Sequence, residues 1–147
     1  MADLSTLSVS DLEALYHEPL GPVPAGDHTG EFLSFLDSRG GRDRRYRAMS
    51  TAMFRWPRWG VDFERRLWWF GGRRLALGRF RAERGRSRWR DAEVLQLHYD
   101  ESRLPGGVRG QLYDEIKPLA DGRILGIGGI VERGAPLDLF FLALHPR

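Results

Sequence analysis

From Trp59 to the C-terminus the chain alternates short β-type runs with turn signals at roughly ten-residue spacing, a rhythm that leaves few folds open. The runs are 59–66, 67–70, 73–84, 92–99, 108–118, 123–132 and 137–145. Between them stand Gly71-Gly72, Gly85-Arg86-Ser87, Pro105-Gly106-Gly107, Asp121-Gly122 and Arg133-Gly134-Ala135-Pro136. Such a meander closes into a barrel or folds into a sandwich. Stretches such as Ile124 to Ile130 and Leu137 to Leu144 are apolar on both faces, so the outer side of the sheet also needs a cover. Gly126, Gly128 and Gly129 within one run predict strong bending or a close approach to the backbone.

The N-terminal part supplies one cover. Ser10-Asp11-Leu12-Glu13 has the form of a capping box, and Leu12, Leu15 and Tyr16 follow at helical spacing, so a short amphipathic helix is expected over 10–18, stopped by Pro19. Breakers over 21–27 predict an ordered loop into a first strand over 30–36. Segment 44–54, with Tyr46, Met49, Met53 and Phe54 at helical spacing, reads as a second short helix or, given its length, a bent strand, with helix the preferred reading. The expected fold is therefore mainly β. It is a single domain of 147 residues: a helix and loop over 1–29, then a small antiparallel β-barrel over 30–147.

The chain has no cysteine, which excludes disulfides, thiolate metal sites and cysteine nucleophiles. Its N-terminal residues carry neither a basic nor an apolar leader region and no stretch reaches the length of a membrane span, so a cytoplasmic protein without a membrane partner is expected. The net charge of +3 conceals an asymmetry, because 17 Arg stand against four acids over 39–90 while 1–38 holds seven acids and no Lys or Arg. Arg interleaved with Trp and Phe is also what phosphate contact and base stacking would use. No nucleic-acid-binding motif accompanies it, and mutual neutralisation across neighbouring strands is the preferred reading.

Three groups of residues carry chemistry. On a strand over 108–118, Asp114 shares a face with Leu112 and Ile116, whereas Glu115 shares the other with Tyr113 and Lys117. A carboxylate among apolar neighbours has its pKa raised unless an Arg or Tyr compensates it; otherwise Asp114 forms a structural pair with Arg109 or another Arg. On 92–99, Gln96 and His98 share one face and Tyr99 lies on the other. His17, His28 and His145 lack metal-ligand spacing, and nothing in the sequence calls for a cofactor. Four of the five tryptophans fall within fourteen residues, and Trp59, Trp68 and Trp69 join Phe80, Tyr99, Tyr113, Phe140 and Phe141 as candidate walls of an apolar pocket or as its filling.

The order of Gly21-Pro22-Val23-Pro24-Ala25-Gly26, Thr29-Gly30, Trp59-Gly60-x-x-Phe63, Val108-Arg109 to Tyr113-Asp114-Glu115-Ile116, Gly122-Arg123-Ile124-Leu125-Gly126 and Phe140-Phe141 resembles that of small, largely uncharacterised bacterial lipocalin-like proteins. The resemblance implies a β-barrel with an internal cavity and carries no activity with it. The expected function is binding of a hydrophobic or amphipathic small molecule inside the barrel, with Gln96, Arg109 and the aromatic residues as ligand contacts. Two alternatives remain. One is a cyclase, isomerase or hydratase using Asp114 or Glu115 with His98 or Tyr99. The other is an arginine-rich surface for nucleic acid or an acidic partner. Exposed strand edges also allow a homodimer.

Overall fold

The computed structural model describes residues 3–36, 48, 51–52, 55, 58–71 and 78–147. The expected helix over 44–54 and the first part of the run over 73–84 lie almost wholly outside them. A 3-10 turn, Leu4–Thr6, precedes helix α1, Val9–Tyr16. Eight strands follow: β1 Asp27–Phe35, β2 Trp59–Asp62, β3 Leu67–Phe70, β4 Arg81–Arg86, β5 Glu93–His98, β6 Leu112–Pro118, β7 Ile124–Glu132 and β8 Ala135–Pro146. They form one antiparallel sheet in the order β3-β2-β1-β8-β7-β6-β5-β4, curled into a half-barrel. Its two ends approach each other where Leu67 of β3 bridges Arg79 and Arg66 accepts a hydrogen bond from the Phe80 amide at 2.9 Å.

Two apolar layers follow from side-chain alternation along the strands. The inner one fills the concave side with Trp59, Val61, Trp68, Phe80, Leu95, Leu97, Tyr99, Ile116, Phe140 and Leu142, among others. The outer one contains Val94, Leu125, Ile127, Phe141 and Ala143, covered by Leu4, Leu12 and Tyr16 of the N-terminal segment. The expected cover for a doubly apolar sheet is therefore α1. Gly128 sits at a bulge between β7 and β8, and a Cβ there would overlap the Phe140 ring, so the close approach expected of this glycine run is realised. The β7–β8 hairpin turns through Arg133 and Gly134, both at positive φ, which suits the right-handed strand twist.

Two expectations need correction. The capping box is built by Ser8 and Asp11, two residues earlier than read, and α1 runs from Val9 to Tyr16. Burial of Leu12 and Tyr16, spaced i and i+4, places the helix, and Ser8 is then the residue able to cap it. Residues 108–111 are not strand, because Gly106–Arg109 forms a single helical turn, α2, before β6 begins at Leu112. Among the described residues no helix is long and apolar enough to cross a membrane.

Candidate functional site

Alternation on β6 sends its two carboxylates to opposite sides of the sheet. Asp114 points into the concavity, where Tyr99 donates its hydroxyl to Oδ2 and the Gly129 amide donates to Oδ1 at 3.2 Å. Trp68 in turn donates its indole N–H to the Tyr99 hydroxyl at 2.7 Å. This chain of three side chains runs across the interior from β3 to β6. Burial pushes the Asp114 carboxyl up to about 6, against the opposing effect of the Tyr99 and Gly129 hydrogen bonds. Burial, followed by the neighbouring carboxylate, raises the Tyr99 phenol well above its ordinary value. The compensating partner of Asp114 is thus a tyrosine. Arg109 lies on α2, where it donates to the Ser102 carbonyl at 3.2 Å.

Around this polar chain the concave face is aromatic. Trp59 and Trp68 lie 6.0 Å apart, Phe63 meets Phe80 edge-on at 6.3 Å, and Phe32 meets Phe140 at 6.0 Å. Phe32, Phe35, Phe63, Phe70 and Leu112 pack against this layer yet are only partly buried, as is Asp114. His28 projects its ring edge-on to Phe63 at 5.0 Å, and burial lowers its pKa, so the imidazole is neutral at pH 7.

The outer face holds the second polar cluster. Glu115, 0 % exposed, accepts hydrogen bonds from the Tyr16 hydroxyl at 3.1 Å, the Tyr113 hydroxyl at 2.7 Å and the Arg88 amide at 2.6 Å. It therefore fastens α1 and the β4–β5 connection to β6. Burial and the adjacent Glu115 raise both phenols. Lys117, the chain's single lysine, is 1 % exposed, donates to the Glu93 carbonyl at 2.8 Å and is lowered in pKa by its burial.

Of the wall candidates, the structure gathers Trp59, Trp68, Phe80, Tyr99 and Phe140 in the concavity. Phe141 lies under α1 with its ring 6.2 Å from Tyr16. Trp69 donates to Asp27 at 2.7 Å, and Tyr113 packs against Trp89 at 5.0 Å. These three point outward because each is one residue removed from an inward neighbour, so the eight do not form one wall. Gln96 donates to the Arg86 carbonyl at 2.6 Å, and His98 lies 5.9 Å from Tyr113, also on the outer side.

An open groove of about 570 Å³ lies at the rim formed by α2, the end of β5 and the start of β4. Arg81, Arg88, Arg109, His98, Tyr99, Asp100, Leu112, Tyr113 and Val131 line it. Burial first, then Arg81 and Arg88, lower the His98 pKa, keeping it neutral at pH 7. Arg81 and Arg88 were not singled out as site residues in the sequence, where they belong to an undifferentiated run of arginines. Among the described residues no group of three or more His, Asp and Glu side chains is placed to hold a metal ion. No family model, curated protein or solved structure matches the chain, so its function is to be read from its own residues.

Proposed function

We propose that the chain binds a hydrophobic or amphipathic small molecule in the concavity of its half-barrel. The observation supporting this most directly is the set of partly exposed aromatic residues on the concave layer, Phe32, Phe35, Phe63 and Phe70, beside the one carboxyl group of β6 that faces the same way. An apolar surface with a few oriented polar groups is what small-molecule sites share. Asp114, with the Tyr99 hydroxyl fixed against it by Trp68, orients a hydroxyl or amine of the ligand.

Native mass spectrometry of the purified protein, with extraction of whatever is bound, tests this. A stoichiometric apolar compound supports the reading; an empty protein whose Trp59 and Trp68 fluorescence ignores a panel of apolar ligands overturns it. A second reading, general acid–base catalysis on the same ligand, is favoured by the Asp114 pKa near 6, which lets the carboxyl give or take a proton close to neutrality. It predicts that Asp114→Asn abolishes turnover while binding persists.

A further inference from the structure

The alternate arginines 84, 86, 88 and 90 form a natural comparison set. Arg84 forks onto Glu93 with contacts of 2.7 and 2.9 Å, and Arg86 pairs with Asp91. Arg90 holds Glu13 through two contacts of 2.7 and 2.6 Å and Asp138 at 2.8 Å. Arg88 alone of the four has no carboxylate partner among the described residues. Its guanidinium lies over the Tyr113 ring, 4.4 Å from the centroid, and its amide is tied to Glu115. Arg88 is exposed, so its guanidinium rests against the ring with its charge unanswered by a carboxylate among the described residues and open to a ligand.

Arg88 lines the rim groove, and so does Arg109, whose guanidinium donates to the Ser102 carbonyl and has no carboxylate partner among the described residues. Arg81 contributes a third cation, shared with Glu83 at 2.7 Å and Asp100 at 3.7 Å. The arginines come from three separate elements and surround a space of about 570 Å³, whose other lining includes Tyr99, Leu112, Tyr113 and Val131. A carboxylate would occupy one guanidinium fork; Arg88 and Arg109 present two without a carboxylate partner among the described residues, beside Arg81 and its groove-lining partner Asp100, and together they suit a group with more oxygens and a double charge. The space also exceeds what an inorganic ion fills, and its Leu and Val side chains fit an apolar remainder.

We propose that this groove is a second site, adjoining the concavity at Tyr99 and Leu112, that binds a small organic phosphate: a phosphomonoester whose apolar part rests on Leu112 and Val131 while Arg81, Arg88 and Arg109 hold the phosphate. The three arginines meet at one open groove, which favours a small ester over a polynucleotide carrying the same phosphate chemistry.

The test uses the full chain at pH 8, where the ester is doubly ionised and His98 neutral. Phenyl phosphate is titrated and followed by backbone amide shifts. Saturable shifts over residues 98–113 in the millimolar range or tighter are expected, with weaker binding of inorganic phosphate and none of phenol. Arg88→Met and Arg109→Met should each weaken phenyl phosphate roughly tenfold with the urea midpoint preserved. Because Arg109 is exposed on α2, that variant keeps the test available even if Arg88→Met unfolds. Absence of shifts, or unchanged affinity in Arg109→Met, overturns the proposal. So does preference for oligonucleotides that tightens with chain length, which would mark an extended nucleic-acid surface.

Discussion

Asp114 and Glu115 are neighbours in sequence, and burial acts on each through different partners. Glu115 receives three hydrogen bonds, whereas Asp114 receives two in an apolar concavity and is raised to about 6. With the folded value above the ordinary 3.8, the fold prefers the protonated form. The corresponding stability is complete below about pH 4, is lost as pH rises toward about 6, and is constant above; a shift of this size corresponds to at most about 3 kcal/mol. Surface carboxylates such as Glu93 and Asp121 are lowered by Arg84 and Arg123 and act in the opposite sense at lower pH. The difference between wild type and Asp114→Asn therefore isolates the Asp114 contribution: urea midpoints of the two should diverge between pH 4 and 6 and run parallel above. Tyr99→Phe removes a hydrogen bond that lowers the carboxyl and orphans the Trp68 N–H, so an NMR titration of Asp114 should move above 6 and stability should fall by about 1–3 kcal/mol. Strand periodicity alone separated Asp114 from Glu115. It could not identify Tyr99 as the partner, because that pairing depends on β5 lying beside β6, and the Trp68 contact depends on the sheet curling back on itself.

Helix α1 is held by a polar clamp as well as by its apolar face. Tyr16 bonds Glu115, and Glu13 forks onto Arg90, whose side chain is 18 % exposed and also bonds Asp138 of β8. Glu115→Gln keeps the shape but replaces one acceptor oxygen with a donor facing hydroxyl and amide donors. Stability should fall by about 1–3 kcal/mol, and hydrogen exchange should accelerate first in residues 9–16. Retained protection of α1 in this variant would show that the apolar contacts of Leu4, Leu12 and Tyr16 suffice. The β7–β8 bulge offers an independent check, since Gly128→Ala drives a Cβ into the Phe140 ring. It should cost about 1–3 kcal/mol, and Phe140→Leu in the same chain should recover part of the loss, measured as urea midpoints. The sequence showed the helix, most of the strands and the bending glycines because each has a local signature. Its register errors arose where local signals compete: Ser8 and Ser10 both precede acids at capping distance, and the Pro105-Gly106-Gly107 turn extends one helical turn into what reads as strand.

At the scale of the molecule, a curled sheet needs something to keep its ends together. Here the Leu67–Arg79 bridge and the Arg66–Phe80 hydrogen bond join the ends of the sheet through the backbone, and Trp68 spans the interior to Tyr99. Alternation along β3 reveals that Trp68 and Trp69 face opposite ways, but only the closed topology tells which is inside. Trp68→Phe removes this interior link while leaving the strand apolar. The vacated volume adds a cavity cost to the lost hydrogen bond, so a destabilisation of about 2–4 kcal/mol is expected. Hydrogen exchange locates the effect: if the link holds the two ends together, protection should be lost preferentially in β3 and in the amide of Phe80, with β6, β7 and β8 retaining theirs. Uniform loss across the sheet would mean that the half-barrel opens only as a whole. In that case the concavity is a rigid container, and a ligand must enter between its rim loops without displacement of β3.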